Sequence, residues 1–513
     1  MFTPSIEEVI SLTKQDYNVI PIGFTYLSDH ETCISHFEKV RHERYSFLLE
    51  SVEGGERWAR YSYIGRRPFL VISSTGQNVK LSFLKENESR TLNEQGSPLE
   101  IVKTHISRYK SPKLPELPPF TGGAVGFFGY DLIHTFENVP TPLSPTNQSN
   151  EMEFLFTDEL IVFDHLKQKT TIICNLHVSP DDQVEMIRKK YELVCDSISY
   201  TYQELQNPPK QTTQKKEFVD KQKTTGLNVR SSHTKEEFCT MVDKAKEYIK
   251  SGDVFQVVLS QRFEQETEAD PFDVYRLLRS MNPSPYMYYY KSKDMFIVGA
   301  SPELLVKVDK GIVENRPIAG TRPRGKTREE DVQFEKELLM DEKERAEHVM
   351  LVDLGRNDVG RVSEFGTVKL DSYMEIERYS HVMHMVSHVK GKMQSSKDFF
   401  DALRSCMPAG TVSGAPKVRA MQIISELEKE ARGVYGGAIG YLGFNGQMDS
   451  CIAIRTIVFQ DGKAYVQAGA GVVADSVPER EYEETVNKAK AMLQAIEGGT
   501  DPIQIQMPAL STR

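Results

Sequence analysis

The sequence predicts an α+β protein in which antiparallel or mixed β-sheets are covered by helices. Three observations carry that expectation. Runs such as VFQVVLSQRF (254–263), MFIVGAS (295–301), SYMEIERYSHVMHMVSHVKG (372–391), CIAIRTIVF (451–459) and AYVQAGAGVV (464–473) read as strands. EEDVQFEKELLMDEKERAEHVMLVDL (329–354) and VPEREYEETVNKAKAMLQAI (477–496) read as helices. Several strands fall between helices without the strict strand–helix alternation of a parallel sheet.

Taken in chain order, residues 1–202 form an N-terminal region. Residues 203–233, QELQNPPKQTTQKKEFVDKQKTTGLNVRSSH, are polar and poor in apolar anchors, the composition of a linker or long surface excursion. Residues 234–497 form a second region, and 498–513 a tail. GGAVGFFGYD (122–131) echoes GGAIGYLGFN (436–445) across the linker. Two readings stand: unrelated Gly-rich strands, or two halves of related architecture packed together. Thr234 with Glu237 forms a capping box, and Phe238, Val242, Ala245 and Ile249 follow at helical spacing as far as Gly252. In 254–263, Phe255, Val257, Leu259 and Phe263 share one strand face, with Gln256, Val258, Ser260 and Arg262 on the other. Within 477–496, Tyr482, Val486, Ala489, Leu493 and Ile496 are expected to face the core.

Composition narrows the function. The 513 residues suffice for two or three domains, and 63 Lys+Arg against 73 Asp+Glu give a net charge of −10. That balance argues against a duplex nucleic-acid binder, which needs a basic stripe against phosphate. No run reaches the ~18 apolar residues of a membrane span, and the acidic start MFTPSIEEVISLTKQD is unlike a signal peptide. The six cysteines are scattered with no Cys-x-x-Cys pair, which predicts reduced, mostly buried thiols in a cytoplasmic protein. Asn87-Glu-Ser and Asn147-Gln-Ser match the glycosylation pattern only by chance if no secretory route exists.

Five constellations could carry chemistry. Glu344 and Glu347 stand at i and i+3 on one helix, as do Glu481 and Glu484 on another. Paired carboxylates suit Mg²⁺, although Glu near a helix start is also favoured by the dipole alone. Arg455 interrupts a strand apolar on both faces, so it is expected to be buried on both sides. There it needs a counter-charge, either a structural Glu or a substrate carboxylate. Ala468-Gly469-Ala470-Gly471, read as lying between a strand and a helix, lets backbone N–H groups approach an anion. It also matches a weak dinucleotide fingerprint, but no strand follows the helix to complete that unit. His381, His384 and His388 lie in a strand that puts His381 opposite the other two, which disfavours zinc.

These motifs resemble the chorismate-utilising enzymes. The resemblance rests on PIAGTRPRG (317–325), DEKERAEHVMLVDLGRND (341–358), SHVMH (380–384), PAGTVSGAPK (408–417), YGGAIGY (435–441), IRT (454–456), QAGAGVVADSVPEREYEET (467–485) and NKA (487–489). NPSPYMYY (282–289) and LLES (48–51) resemble the large subunits of the anthranilate-forming branch.

The resemblance implies a sandwich of large sheets flanked by helices, with two interleaved regions. It places Mg²⁺ at Glu344, Glu347, Glu481 and Glu484, with Glu347 and Glu484 closest to the direct ligands. It places chorismate at Tyr435, Arg455, Gly469, Ala470 and Gly471, with further contacts at Gly320, Thr321 and Lys488. Glu303, His384 and Thr411 fall at catalytic or substrate-contacting positions, and Glu50, Ser51, Pro285, Tyr286 and Met287 at a feedback pocket for L-tryptophan. Members of the aminodeoxychorismate branch often carry Lys where this chain has Ala319, and isochorismate-type members a Lys near Gln256. Both substitutions favour ammonia as nucleophile and anthranilate with pyruvate as products. Aminodeoxychorismate synthesis is the nearest alternative, and a non-catalytic carboxylate sensor a more distant one. The chain shows no glutamine-amidotransferase nucleophile, so the resemblance implies a separate amidotransferase subunit as the ammonia source.

Overall fold

The computed structural model describes residues 2–51, 60–85, 88–142, 150–208, 229–379 and 382–499. Asn87, Asn147, His381, most of the expected linker and nearly all of the tail lie outside them.

The described residues form two antiparallel sheets of 13 and 12 strands. The strands of the first half used below are β1 (Val19–Leu27), β2 (Ser46–Glu50), β3 (Tyr61–Arg66), β4 (Leu70–Thr75), β5 (Asn78–Lys85), β6 (Glu88–Gln95), β7 (Gly123–Phe128), β8 (Met152–Thr157), β9 (Glu159–Asp164) and β10 (Lys169–His177). Those of the second half are β11 (Gln256–Glu266), β12 (Tyr286–Lys291), β13 (Met295–Ser301), β14 (Leu304–Asp309), β15 (Ile312–Asn315), β16 (Val382–Lys392), β17 (Ala438–Gly443), β18 (Met448–Ile452), β19 (Thr456–Gln460) and β20 (Lys463–Val472).

The larger sheet runs β1-β10-β9-β3-β2 and then β12-β13-β19-β20-β11. The smaller runs β16-β15-β14-β18-β17 and then β7-β8-β4-β5-β6. Each half therefore repeats one strand order in both sheets, and the halves meet at β2–β12 and β7–β17. The Gly-rich echo is the second of these junctions: Gly126 pairs with Gly440 and Phe128 with Ala438. At this junction a Cβ on Gly123 would lie 2.1 Å from the Leu442 carbonyl oxygen, so glycine permits the close approach of the strands. The duplication reading of the echo is thus the correct one.

Packing follows from strand alternation. Phe47, Tyr288 and Ile297 of the larger sheet interdigitate with Val125, Leu155 and Ile439 of the smaller to form the core between the sheets. Helices cover the outer faces. Those used below are α1 (Cys33–Val40), α2 (Val184–Gln206), α3 (Lys235–Lys250), α4 (Pro271–Met281), α5 (Arg328–Met340), α6 (Glu342–Gly360), α7 (Lys417–Leu427) and α8 (Pro478–Gly498). The capping box of Thr234 and Glu237 opens α3 as expected.

Several expectations are corrected. Helix α2 continues to Gln206, into the segment read as linker. Residues 372–391 are not one strand: Lys369–Arg378 and β16 form an antiparallel hairpin. The helix expected over 329–354 breaks at Asp341, which ends α5 and caps α6 by accepting from the amides of Lys343 and Glu344, both at 3.1 Å. Phe255 precedes β11 and is 75% exposed rather than core. On α8 the core face is Thr485, Ala489, Met492, Ala495 and Ile496; Val486 faces solvent. Ala468–Gly471 lies within β20, not between a strand and a helix. Residues 451–459 are two strands in different sheets, β18 and β19, with Arg455 at the crossing rather than inside a doubly buried strand.

Candidate active site

The site is built where the second half changes sheet. Between β13 and β14 the chain passes from the larger sheet to the smaller through Glu303, and between β18 and β19 it returns through Arg455. The two corners are laced together: Ile452 N–H donates to the Glu303 carbonyl at 3.0 Å, and Ala300 N–H to the Arg455 carbonyl at 3.1 Å. Arg455 sits at φ +52°, a left-handed conformation that costs a non-glycine residue on the order of 1 kcal/mol. A strand cannot continue through that conformation, which is why the single strand read over 451–459, apolar on both faces, breaks there.

Because β19 begins only at Thr456, β20 loses its neighbour on that side beyond Val466. On its other side, Val258 and Ser260 of β11 are the partners of Gly471 and Gly469. Their amides donate elsewhere, Val258 to the Ser413 carbonyl and Ser260 to Glu428. Gly469 and Gly471 therefore turn their own backbone groups toward the open edge beside Arg455. The Gly469 carbonyl accepts from Lys488 of α8 at 2.9 Å. Neither glycine has room for a side chain: a Cβ would lie 2.7 Å from the Tyr435 hydroxyl at Gly469, and 2.4 Å from Gln256 Nε2 at Gly471.

Arg455 is half-buried and makes no ion pair with a carboxylate among the described residues. Burial lowers its pKa, opposed by the Tyr435 hydroxyl and Glu484. Among the described residues Arg455 thus has no structural ion pair, and its guanidinium is open to an anion. Burial pushes the Tyr435 hydroxyl up to about 12, against the pull of Arg432 and Arg455, so it remains a donor.

Helices α6 and α8 converge on the same place. Glu344 and Glu347 occupy the first two turns of α6, fixed by the Asp341 cap. A Cβ on Gly320 would lie 3.2 Å from Glu344 Oε2, which puts the Gly320–Thr321 segment beside it. Burial raises the pKa of Glu347, and Glu344 and Glu484 raise it further. Burial also raises that of Glu481, opposed by Ser476 and increased by Glu484. Glu484 pairs with Lys488 at 2.6 Å, and Glu344 with Arg322 at 3.5 Å. The site thus concentrates negative charge in partly desolvated surroundings. No three of these carboxylates have oxygens within 4.8 Å of one another among the described residues. Carboxylate oxygens of this kind at an open site fit a hard divalent cation that keeps water and substrate oxygens as its other ligands.

Glu303 is buried, and its carboxyl pKa is pushed up to about 8 by desolvation, with Thr411 and Lys488 drawing it back. Thr411 Oγ1 is itself buried and faces Glu303. His384 on β16 donates from Nδ1 to the Gly320 carbonyl at 2.9 Å, with Thr321 Oγ1 3.2 Å away. A carbonyl only accepts, so Nδ1 carries the proton and Nε2 is the basic nitrogen. Burial lowers the pKa of His384, and Arg455 lowers it further, so the ring is neutral near pH 7. Electrostatic influence links several candidates: Lys488 acts on Glu303, Arg455 on His384 and Tyr435, and Glu484 on Glu347. Arg480 and Asn487, which line the open cleft of about 380 Å³ with Arg455, Glu484 and Lys488, were missed. Their spacing from Glu484, one helical turn to either side, was the available signal.

A second cavity, of about 550 Å³, opens between the sheets where the halves meet, lined by Glu50, Ser51, Pro285, Tyr286 and Met287. Its other wall, with Tyr63, Tyr441 and Asp449, was not foreseen. Ser51 Oγ is buried there without a partner. The Glu50 carboxylate is engaged elsewhere: it accepts from Arg279 Nε at 3.0 Å and Nη2 at 3.2 Å, from Tyr275, and from Cys33 at 2.8 Å. It is therefore not free to pair with a ligand's ammonium group, the role open to an acid in such a pocket.

Residues 49–494 match the model of the chorismate binding enzyme family. The chain belongs to that family. It is 55% identical over 497 residues to anthranilate synthase component 1 of Acetivibrio thermocellus, covering 97% of this chain and 99% of that protein. It is 46% identical to the protein of that name from Aquifex aeolicus, covering 96% and 97%. Among solved structures, anthranilate synthase component I from Streptococcus pneumoniae superposes with a TM-score of 0.72 at 41% identity, over 86% of this chain and 94% of that one. The isochorismate synthase MenF from Escherichia coli shares the fold, with a TM-score of 0.66 at 17% identity over 96% and 99%. The chorismate-binding assignment accounts for the density of sites in the second half: every candidate catalytic and metal residue lies between Glu303 and Lys488. Among the described residues no helix is long and apolar enough to cross a membrane.

Proposed function

We propose that the chain is the large subunit of an anthranilate synthase, converting chorismate and ammonia to anthranilate, pyruvate and water. The observation that carries this reading is that Glu484 of α8 acts both on Glu347 of α6 and on Arg455, a half-buried guanidinium with no ion pair among the described residues. Arg455 and the Gly469 and Gly471 amides would bind substrate carboxylate. Glu347 and Glu484, with Glu344 and Glu481 beside them, would hold Mg²⁺, which when bound supplies positive charge to the ring carboxylate. Ammonia adds at C2, and the C4 hydroxyl leaves as water after taking a proton. Loss of the C2 proton and of the enolpyruvyl group as pyruvate then makes the ring aromatic. Glu303, protonated at neutral pH, suits the proton donor, and neutral His384, through Nε2, suits the acceptor.

The buried methyl group of Ala319 cannot serve as an attacking amine, and neutral Gln256 beside Gly471 is a poor base for water. Both favour ammonia, delivered by a glutamine amidotransferase subunit. The second cavity is proposed to take L-tryptophan as feedback inhibitor. Pro285, Tyr286 and Met287 would flank the indole and Ser51 the polar end. The test is to incubate the purified chain with chorismate, Mg²⁺ and ammonium and follow anthranilate fluorescence. Fluorescence with stoichiometric pyruvate supports the reading; a non-fluorescent aminated product retaining the enolpyruvyl group rejects it in favour of aminodeoxychorismate synthesis.

A further inference from the structure

Among the described residues Arg455 has no ion pair to fix its side chain, and its backbone sits in a left-handed conformation from which an unrestrained residue would relax. Its placement must come from the backbone on either side. Thr456 Oγ1 donates to the Ile454 carbonyl at 2.9 Å, bridging across Arg455. The Tyr288 hydroxyl lies 2.6 Å from Thr456 Oγ1. Thr456 has one hydroxyl proton, already given to Ile454, so Tyr288 is the donor.

The reach of Tyr288 is set by register. Tyr288 on β12 pairs with Gly299 on β13, which pairs with Thr456 on β19. The hydroxyl therefore crosses two strand spacings, about 9.6 Å, over the middle strand. A Cβ on Gly299 would lie 2.2 Å from the Tyr288 ring, so only glycine lets the ring lie flat there.

The duplicated half provides an internal comparison. In the equivalent strands β2, β3 and β9, Phe47 pairs with Gly65 and Gly65 with Leu160. A Cβ on Gly65 would lie 2.1 Å from the Phe47 ring. The ring-over-glycine packing is thus the same in both halves, but the hydroxyl pair is present only in the half that carries the cleft. Folding of this arrangement does not require the hydroxyls.

We propose that Tyr288 and Thr456 are positioning residues for substrate binding, holding the Arg455 corner so that its guanidinium meets a chorismate carboxylate. This rests on the reading of Arg455 as the carboxylate clamp. Tyr288 also lines the second cavity, so the same hydrogen bond joins that cavity to the active-site corner.

The test uses the full-length variants Tyr288→Phe, Thr456→Val and Thr456→Ser, with steady-state kinetics and calorimetric titration of chorismate. Loss of one hydrogen bond should weaken chorismate binding about 5- to 10-fold in Tyr288→Phe. The effect should appear in KM for chorismate, with kcat and KM for ammonium little changed. Thr456→Val should weaken binding at least as much, and Thr456→Ser should restore it. Wild-type chorismate affinity in folded Tyr288→Phe overturns the inference. A wild-type chain that turns over no chorismate to anthranilate would reject the proposed reaction instead, while the calorimetric comparison still decides this one.

Discussion

Glu347 on α6 stands close enough to Glu484 on α8 for the charge of the second to raise the pKa of the first. Two helices distant in sequence thereby share one electrostatic problem, which a divalent cation would resolve. Replacing Glu484 by Gln keeps shape and lowers the charge. Loss of even an outer partner of a metal ligand costs about 10–100-fold, so Glu484→Gln should lose more than about 100-fold in Mg²⁺-dependent turnover. Its circular dichroism and melting should stay near wild type. Full Mg²⁺-dependent turnover in this variant would refute the ligand assignment.

Glu303 gives a pH dependence. Its carboxyl stays protonated up to about pH 8. As proton donor it must be protonated, so kcat should fall as pH rises through about 8, and that limb should vanish in Glu303→Gln together with most of the activity. The stability sign is separate. The folded chain retains a proton that the unfolded chain has lost, so this group's contribution falls as pH rises from the ordinary carboxylate range to about 8, then levels. Urea midpoints measured across that window should decline less steeply for Glu303→Gln than for the wild type.

The nitrogen source is a third test. Cys33, Cys174, Cys406 and Cys451 are buried, and Cys195 and Cys239 only partly exposed, with the thiol pKa of each raised by burial. None suits a glutaminase nucleophile, which needs a thiolate. The purified chain should use ammonium salts and not glutamine; glutamine-dependent anthranilate formation by this chain alone would remove the need for a partner subunit.

Ser51 tests the second cavity. A benzyl group in Ser51→Phe would occupy part of the space of about 550 Å³. Tryptophan inhibition should weaken by about tenfold or more while uninhibited turnover is kept. Unchanged inhibition constants would place the inhibitor elsewhere.

Much of this was legible because the signals were local. The Thr234 capping box, the i, i+3 glutamates of α6 and α8, and the strand patterns of β11, β13 and β20 need only neighbouring residues to be read. The misreadings share a cause. Residues 372–391 turn back on themselves without the Gly or Pro that would advertise it, so two strands looked like one. The apolar pattern of 451–459 continues through Arg455 because both flanking strands are buried, although they belong to different sheets. Asp341 resembles one more acidic helix residue until its side chain is seen to cap the helix that follows. The Glu50 carboxylate points to Arg279 of α4, a partner far away in sequence that no local pattern reveals.

In the proposed reaction α6, α8 and Arg455 would form one metal-assisted chorismate site. Crystals grown with Mn²⁺ in place of Mg²⁺ and soaked with chorismate give the most direct measurement, through the anomalous signal of the metal. A single peak between the Glu347 and Glu484 carboxylates, with a substrate carboxylate on Arg455, is the predicted result. Chorismate bound at full occupancy with the metal peak elsewhere, or with Arg455 untouched, would contradict the account.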